Sequence, residues 1–208
     1  MKKLIIKLIF ISIFFCLFSS CSNNSPWKYI FDFDKHLSEN PSTSSYEKKN
    51  PNTPENVLFN LARAYESKLL EDYMECFVSP YDNLPNHQFQ FESKETKNSL
   101  EPGQKWDYEL EKQCTTNLFS DKEKNGIKVK SIKLILTPKL QSAEKFQDVY
   151  KKYVVKIDVD YQLIIYAEIA NSSNSGFSAN KTAQFKLVNL GTETNELWKI
   201  YYWLDEPY

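Results

Sequence analysis

The chain has 208 residues, with 26 basic and 27 acidic side chains and a net charge of −1. Without residues 1–20, which hold three lysines and no acids, 23 basic groups face 27 acidic ones and the balance falls to −4. That balance argues against a phosphate-binding surface as the main business, and so against nucleic acid as a partner; Arg63 is the single arginine, which leaves few ways to build a bidentate anion clamp.

Lys2, Lys3 and Lys7 precede an almost wholly apolar run from Leu8 to Leu17. The run is too short for a comfortable bilayer span, which needs about 20 residues. A short apolar run after lysines, followed by small residues, predicts a cleavable export signal. Ser19-Ser20-Cys21 then resembles a lipobox, the motif in which small residues precede a cysteine that becomes lipidated; Phe18 stands where that family usually has Leu. The resemblance implies a bacterial lipoprotein with residues 1–20 as signal peptide and Cys21 as the acylated N-terminus. It also implies a membrane-anchored protein on the exported side. Ser22 follows the cysteine in place of Asp, so the outer membrane is favoured in a host with two membranes. Each buried lipid methylene contributes about 0.8 kcal/mol, so one chain binds marginally and several anchor stably.

Residues 21–52 are dominated by Ser, Asn, Pro, Lys and Glu and carry no sustained periodicity, which predicts a flexible tether. Some 30 such residues have a root-mean-square span of about 30 Å. Trp27, Tyr29, Ile30, Phe31 and Phe33 form an apolar island within it, suited to the membrane interface, to the domain's own surface or to a partner. Residues 53–208 are expected to form one domain.

Thr53-Pro54-Glu55 is a helix start, with Thr as N-cap and Pro at the first helical position. Apolar residues at Val57, Leu58, Leu61, Tyr65, Leu69, Tyr73 and Phe77 extend an amphipathic helix from it. Leu58, Leu69 and Cys76 fall on one stripe. Gln88 to Phe91 alternates as a short strand. A second helix is expected over 104–119, with Trp106, Leu110, Cys114 and Leu118 as its apolar row. Asn125-Gly126 marks a turn. Ile127 to Leu136 reads as a strand, and Tyr153 to Ile165 alternates apolar residues with Lys156, Asp158, Asp160 and Gln162 on a wet face. Residues 171–180 read as a polar loop, Gln184 to Leu190 as a strand and Leu197 to Leu204 as an aromatic closing strand. Trp203 is out of phase with Trp198, Ile200 and Tyr202, so either a bulge turns it inward or it faces solvent.

The order of helix, short strand, helix and long antiparallel strands resembles the nuclear-transport-factor-2-like superfamily. The resemblance is carried by the helix opening at Thr53-Pro54-Glu55, by Phe89 and Phe91 followed by Trp106 and Glu109, and by the closing Trp198 to Asp205. It implies an α+β fold in which N-terminal helices pack on a curved antiparallel sheet to form a cone, often with an interior pocket. Tyr65, Phe89, Phe91, Trp106, Tyr108 and Trp203 are the candidate lining; the same residues serve equally as core. His36 falls in the tether and His87 in a loop, so the His–Asp dyads of some enzymatic members have no evident counterpart. Asp158 and Asp160 share a solvated face. Cys76 and Cys114 are a candidate disulfide in an exported domain. No metal-ligand cluster, cofactor motif or nucleophile motif is apparent. The expectation is a lipid-anchored, non-enzymatic module that binds a protein partner or other envelope component. The alternative is a protein that binds or transforms a small apolar ligand inside the cone.

Overall fold

The computed structural model describes residues 47–92, 105–123, 127–169 and 175–205. The export segment, Cys21, the Trp27–Phe33 island, His36 and the Pro102-Gly103 and Asn125-Gly126 turns lie outside the described residues. Among the described residues the elements run α1 (Pro54–Glu66), α2 (Leu70–Glu75), β1 (Gln90–Glu92), β2 (Trp106–Asp107), α3 (Tyr108–Phe119), β3 (Ile127–Pro138), β4 (Glu144–Gln147), β5 (Tyr153–Ile169), β6 (Ser175–Asn189) and β7 (Trp198–Asp205). This is the α+β class expected, helices packed on one face of a curved sheet.

The sheet order is β2-β1-β7-β6-β5-β3, with β4 paired to the same side of β5 as β3. It is antiparallel except where β1 runs parallel to β7. That parallel pairing departs from the purely antiparallel expectation. It arises because Cys76, Phe77 and Val78 already enter β7's edge in parallel, through Ile200 N–H to the Cys76 carbonyl and Val78 N–H to the Ile200 carbonyl, both 2.8 Å. The chain thus reaches β1 running in β7's direction.

The first helix starts as expected: Thr53 Oγ1 accepts the Asn56 N–H at 3.2 Å. It does not run through to Phe77. Lys68 adopts a left-handed φ of 55° and divides the segment into α1 and α2. The break rotates the stripe, so Leu69, expected to be buried with Leu58 and Cys76, is exposed. The second helix starts later than expected. Trp106 pairs with Phe91 in β2, and Asp107 caps α3 by accepting the Leu110 N–H at 3.0 Å. β4 is an element beyond those expected, and β6 begins at Ser175, inside the expected loop.

Residues 48–51, which fall within the expected tether, are laid on the domain. Trp198 N–H donates to the Pro51 carbonyl at 2.8 Å, Asn60 pairs with both backbone groups of Lys49, and Lys48 bridges Asp72 and Glu75. The domain therefore begins a few residues before Thr53.

Along β5 the odd-numbered residues from Val155 to Ala167 are buried under the helices, while Lys156, Asp158, Asp160 and Gln162 face out. In β7 the phase changes once. Lys186 pairs with Tyr202 but Leu187 pairs with Ile200, leaving Tyr201 as the extra residue of a bulge. Ile200 and Trp203 consequently both face the core, and Tyr201 stays on the outer face. Phe185, fully buried, packs its ring 4.9 Å from that of Trp203 at the centre of the core. Phe185→Ala is predicted to lower the unfolding free energy by about 3–5 kcal/mol in equilibrium urea denaturation.

Candidate functional site

Three groupings of polar side chains merit weighing as chemistry. The first lies inside the cone. Glu111, on the inner face of α3, is 4% exposed. Its Oε1 accepts from Tyr73 Oη at 2.7 Å and from Thr115 Oγ1 at 2.9 Å, and its Oε2 accepts the Trp106 indole N–H at 2.7 Å. These donors come from α2, α3 and β2, so the carboxylate ties three elements together. A buried carboxylate is tolerated only when its oxygens are hydrogen-bonded, and here three donors engage it. Burial, followed by the Glu111 charge, pushes the Tyr73 hydroxyl well above its ordinary range, so Tyr73 remains a donor.

The candidate pocket lining falls into two aromatic groups, joined to this carboxylate through Tyr73 and Trp106. Phe91 lies 5.6 Å from Trp106 and 5.4 Å from Trp203 between ring centroids. Phe89 meets Phe77 at 4.4 Å, and Tyr65 meets Tyr73 and Phe119, each at 5.2 Å. Tyr65, Phe89, Phe91, Trp106 and Trp203 are all buried, and Tyr108 is partly buried against them. One polar atom among these aromatics stands apart: the Trp203 indole N–H is buried and has no acceptor among the described residues. Deeper along the sheet, Tyr161 Oη donates to Asp205 Oδ1 at 2.7 Å, both residues buried.

The second grouping is a His–Asp pair that the sequence did not reveal. His87 Nε2 lies 2.5 Å from Asp148 Oδ2. The partner sits 61 residues away in the turn between β4 and β5, and the pair is on the outer face of the sheet. There His87 packs edge-on to Tyr201 at 5.0 Å and Tyr150 at 5.7 Å. Val78, Val154 and Val188, with Leu84 and Tyr201, form a small separate core on that face. The pair pins the short 3-10 turns Pro80–Asp82 and Pro85–His87 over it, assisted by Lys199 Nζ on Asp82 at 2.9 Å. Burial pushes the Asp148 carboxyl up. Hydrogen bonds from the Lys152 amide, the His87 ring and the Tyr150 amide outweigh this and hold it below the ordinary aspartate value.

The third grouping, Asp158 and Asp160, is a solvated face. Asp158 Oδ1 accepts from Gln184 Nε2 at 3.0 Å, and Asp160 Oδ1 accepts from Thr182 Oγ1 and pairs with Lys139, both 2.7 Å. Hydrogen bonds from Lys139 and Thr182 lower the Asp160 carboxyl. Each carboxylate has its own partners and neither shares a proton with the other.

Cys76 and Cys114 are not joined to each other. Cys76 follows α2 as a buried free thiol, lies 3.4 Å from the Asp72 carbonyl, and is pushed up to about 12 by burial, which leaves it unreactive. Cys114 lies buried on α3. Among the described residues no three His, Cys, Asp or Glu side chains are grouped to hold a metal.

No family model matches the chain, and no curated protein matches it. Solved structures do. A nuclear-transport-factor-2-like protein of Cytophaga hutchinsonii shares 12% identity over 74% of this chain and 94% of its own, with a TM-score of 0.37. A protein of the same family from Streptomyces avermitilis shares 12% over 73% and 92%, at 0.43. The β subunit of a benzoate 1,2-dioxygenase from Burkholderia mallei shares 13% over 73% and 86%, at 0.42. A likeness this loose is one of architecture and says nothing of ligand or activity.

Two outcomes follow for these groups. Glu111→Ala leaves three buried donors without an acceptor and is predicted to cost about 3 kcal/mol or more in urea unfolding, with Glu111→Gln costing less. For Asp148, the depressed carboxyl contributes stability above the ordinary carboxylate range, and that contribution is lost as pH falls through the folded value. The stability gap between wild type and Asp148→Asn is therefore expected to shrink in denaturation curves as pH drops below about 4.

Proposed function

We propose that this chain is a lipid-anchored module of the cell envelope that acts by binding through its outer surface, with the interior of the cone serving as core. The observation that carries this reading is the state of Glu111. The carboxylate with the best interior position for acid–base work is held by Tyr73, Trp106 and Thr115. A general base needs a lone pair free to meet a substrate proton, and here three buried donors take up most of the carboxylate's acceptor positions. The aromatics that would line a pocket touch one another instead.

The anchor rests on the sequence. The lysine-flanked apolar run ending at Ser19-Ser20-Cys21 supports acylation at Cys21 on the exported side, and the outer membrane where there are two. Among the described residues no helix is long and apolar enough to cross a membrane. A second reading, a small apolar ligand inside the cone, draws on the buried Trp203 indole N–H, which could donate to a ligand carbonyl.

Cys21→Ser tests the anchor. The prediction is a folded protein that leaves the membrane fraction for the soluble exported fraction, with loss of the lipid mass seen on the wild-type N-terminus. A Cys21→Ser protein that stays with the membrane through an uncleaved N-terminal segment would contradict the reading.

A further inference from the structure

The β4–β5 end of the outer face combines features that suit one kind of partner. Val149 and Tyr150, in the turn joining the two strands, are 88% and 54% exposed. The turn is nonetheless tightly built. The Asp148 amide donates to the Lys152 carbonyl at 2.9 Å, and the Lys151 amide returns to the Asp148 carbonyl at 3.0 Å. Asp148 Oδ1 accepts the Tyr150 and Lys152 amides, both at 2.9 Å, while Oδ2 holds His87. A valine and a tyrosine are thus held out in water, where exposing apolar surface is unfavourable. Phe146, also exposed, stands opposite Val154 in the β4–β5 ladder and so lies on this same outer face.

The charges around the tip are equally unbalanced. Lys156 of β5 and Lys186 of β6 stand directly opposite each other on the outer face. Like charges in that position destabilise a sheet. Glu144 is across from Lys156 in β4, yet no ion pair joins them. Lys151 and Lys152 follow the apolar tip directly. None of these four lysines makes an ion pair among the described residues; Lys186 lies over the Tyr202 ring at 4.6 Å. Nearby Asp82 and Asp148 are already engaged, by Lys199 and by His87.

We propose that this end of the outer face docks on an anionic bilayer surface. The Val149–Tyr150 tip enters the interfacial layer, and Lys151, Lys152, Lys156 and Lys186 face the lipid headgroups. Tyrosine suits that layer because its ring is apolar and its hydroxyl wet. Lysine suits it because the stem lies along apolar surface while the ammonium reaches the headgroups. A lysine close to an anionic leaflet gains about 1 kcal/mol, or about five-fold in partitioning. The inference rests on the lipid-anchored reading only in that the anchor brings a membrane within reach.

The test uses the full chain carrying a polarity-sensitive fluorophore at V149C, reconstituted into phosphatidylcholine vesicles with and without phosphatidylglycerol. The expected result is blue-shifted emission, quenched by spin-labelled acyl chains, when phosphatidylglycerol is present. In the K156E/K186E background the inserted fraction should fall about ten-fold or more, with thermal unfolding unchanged; Tyr150→Ser serves as the second variant if it is not. Water-like emission in both vesicle types overturns the proposal, and so does equal insertion with and without phosphatidylglycerol. Water-like emission together with photocrosslinking from position 149 to an envelope protein in cells overturns it in favour of a protein partner. The intact mass of the cellular protein reads the anchor separately. Absence of a lipid adduct refutes the lipid-anchored reading, while the emission at 149 still decides the surface.

Discussion

A carboxylate placed in an aromatic interior must be hydrogen-bonded or the fold does not hold, and the rest of this structure is arranged around meeting that demand for Glu111. Its three donors come from three elements. Tyr73 sits on the short helix created by the break at Lys68, Trp106 on a two-residue strand at the sheet's edge, and Thr115 one turn along α3. Moving any of these elements would strand a buried donor or acceptor, at a cost of about 1–3 kcal/mol each. The division of the first helix and the late start of α3 are both consistent with this constraint. An unbroken helix through Phe77 would place Tyr73 elsewhere, and a helix beginning near residue 104 would take Trp106 out of its pairing with Phe91.

The sheet solves a second problem with one extra residue. β7 must face Ile200 and Trp203 into the core, which strict alternation forbids. The bulge at Tyr201 supplies the change of phase and leaves the Tyr201 ring on the outer face. There it becomes a wall for His87, whose bond to Asp148 fixes the turn that presents Val149 and Tyr150. Core packing on one side and surface shape on the other are thus linked through a single irregularity in one strand.

Much of this was legible in the sequence, and what was missed has identifiable causes. The N-cap at Thr53, the wet and dry faces of β5, and the burial of Phe89, Phe91 and Trp106 follow from local spacing and capping chemistry. Trp203 showed as a conflict of phase, which named the two outcomes without choosing between them. The Lys68 break left no glycine or proline as a signal. Glu111 was hidden by its charge. Glu111, Cys114, Thr115 and Leu118 follow the i, i+3, i+4, i+7 spacing of a buried stripe, and reading that spacing regardless of polarity would have found it. The expected row instead carried Leu110, which is only partly buried. His87 and Asp148 meet through the tertiary fold, and no local pattern pairs residues so far apart.

The described interior is therefore structure, and the outer face is the proposed place of work. Hydrogen exchange at the Trp106 indole N–H, followed by NMR, tests that division most directly, because this proton lies in the Glu111 network where an interior site would operate. A closed core predicts exchange only through global unfolding, with the free energy of opening equal to that measured by denaturant. Fast exchange from the native state, insensitive to low denaturant, would mean that water reaches Glu111 and would contradict the assignment of the interior as core.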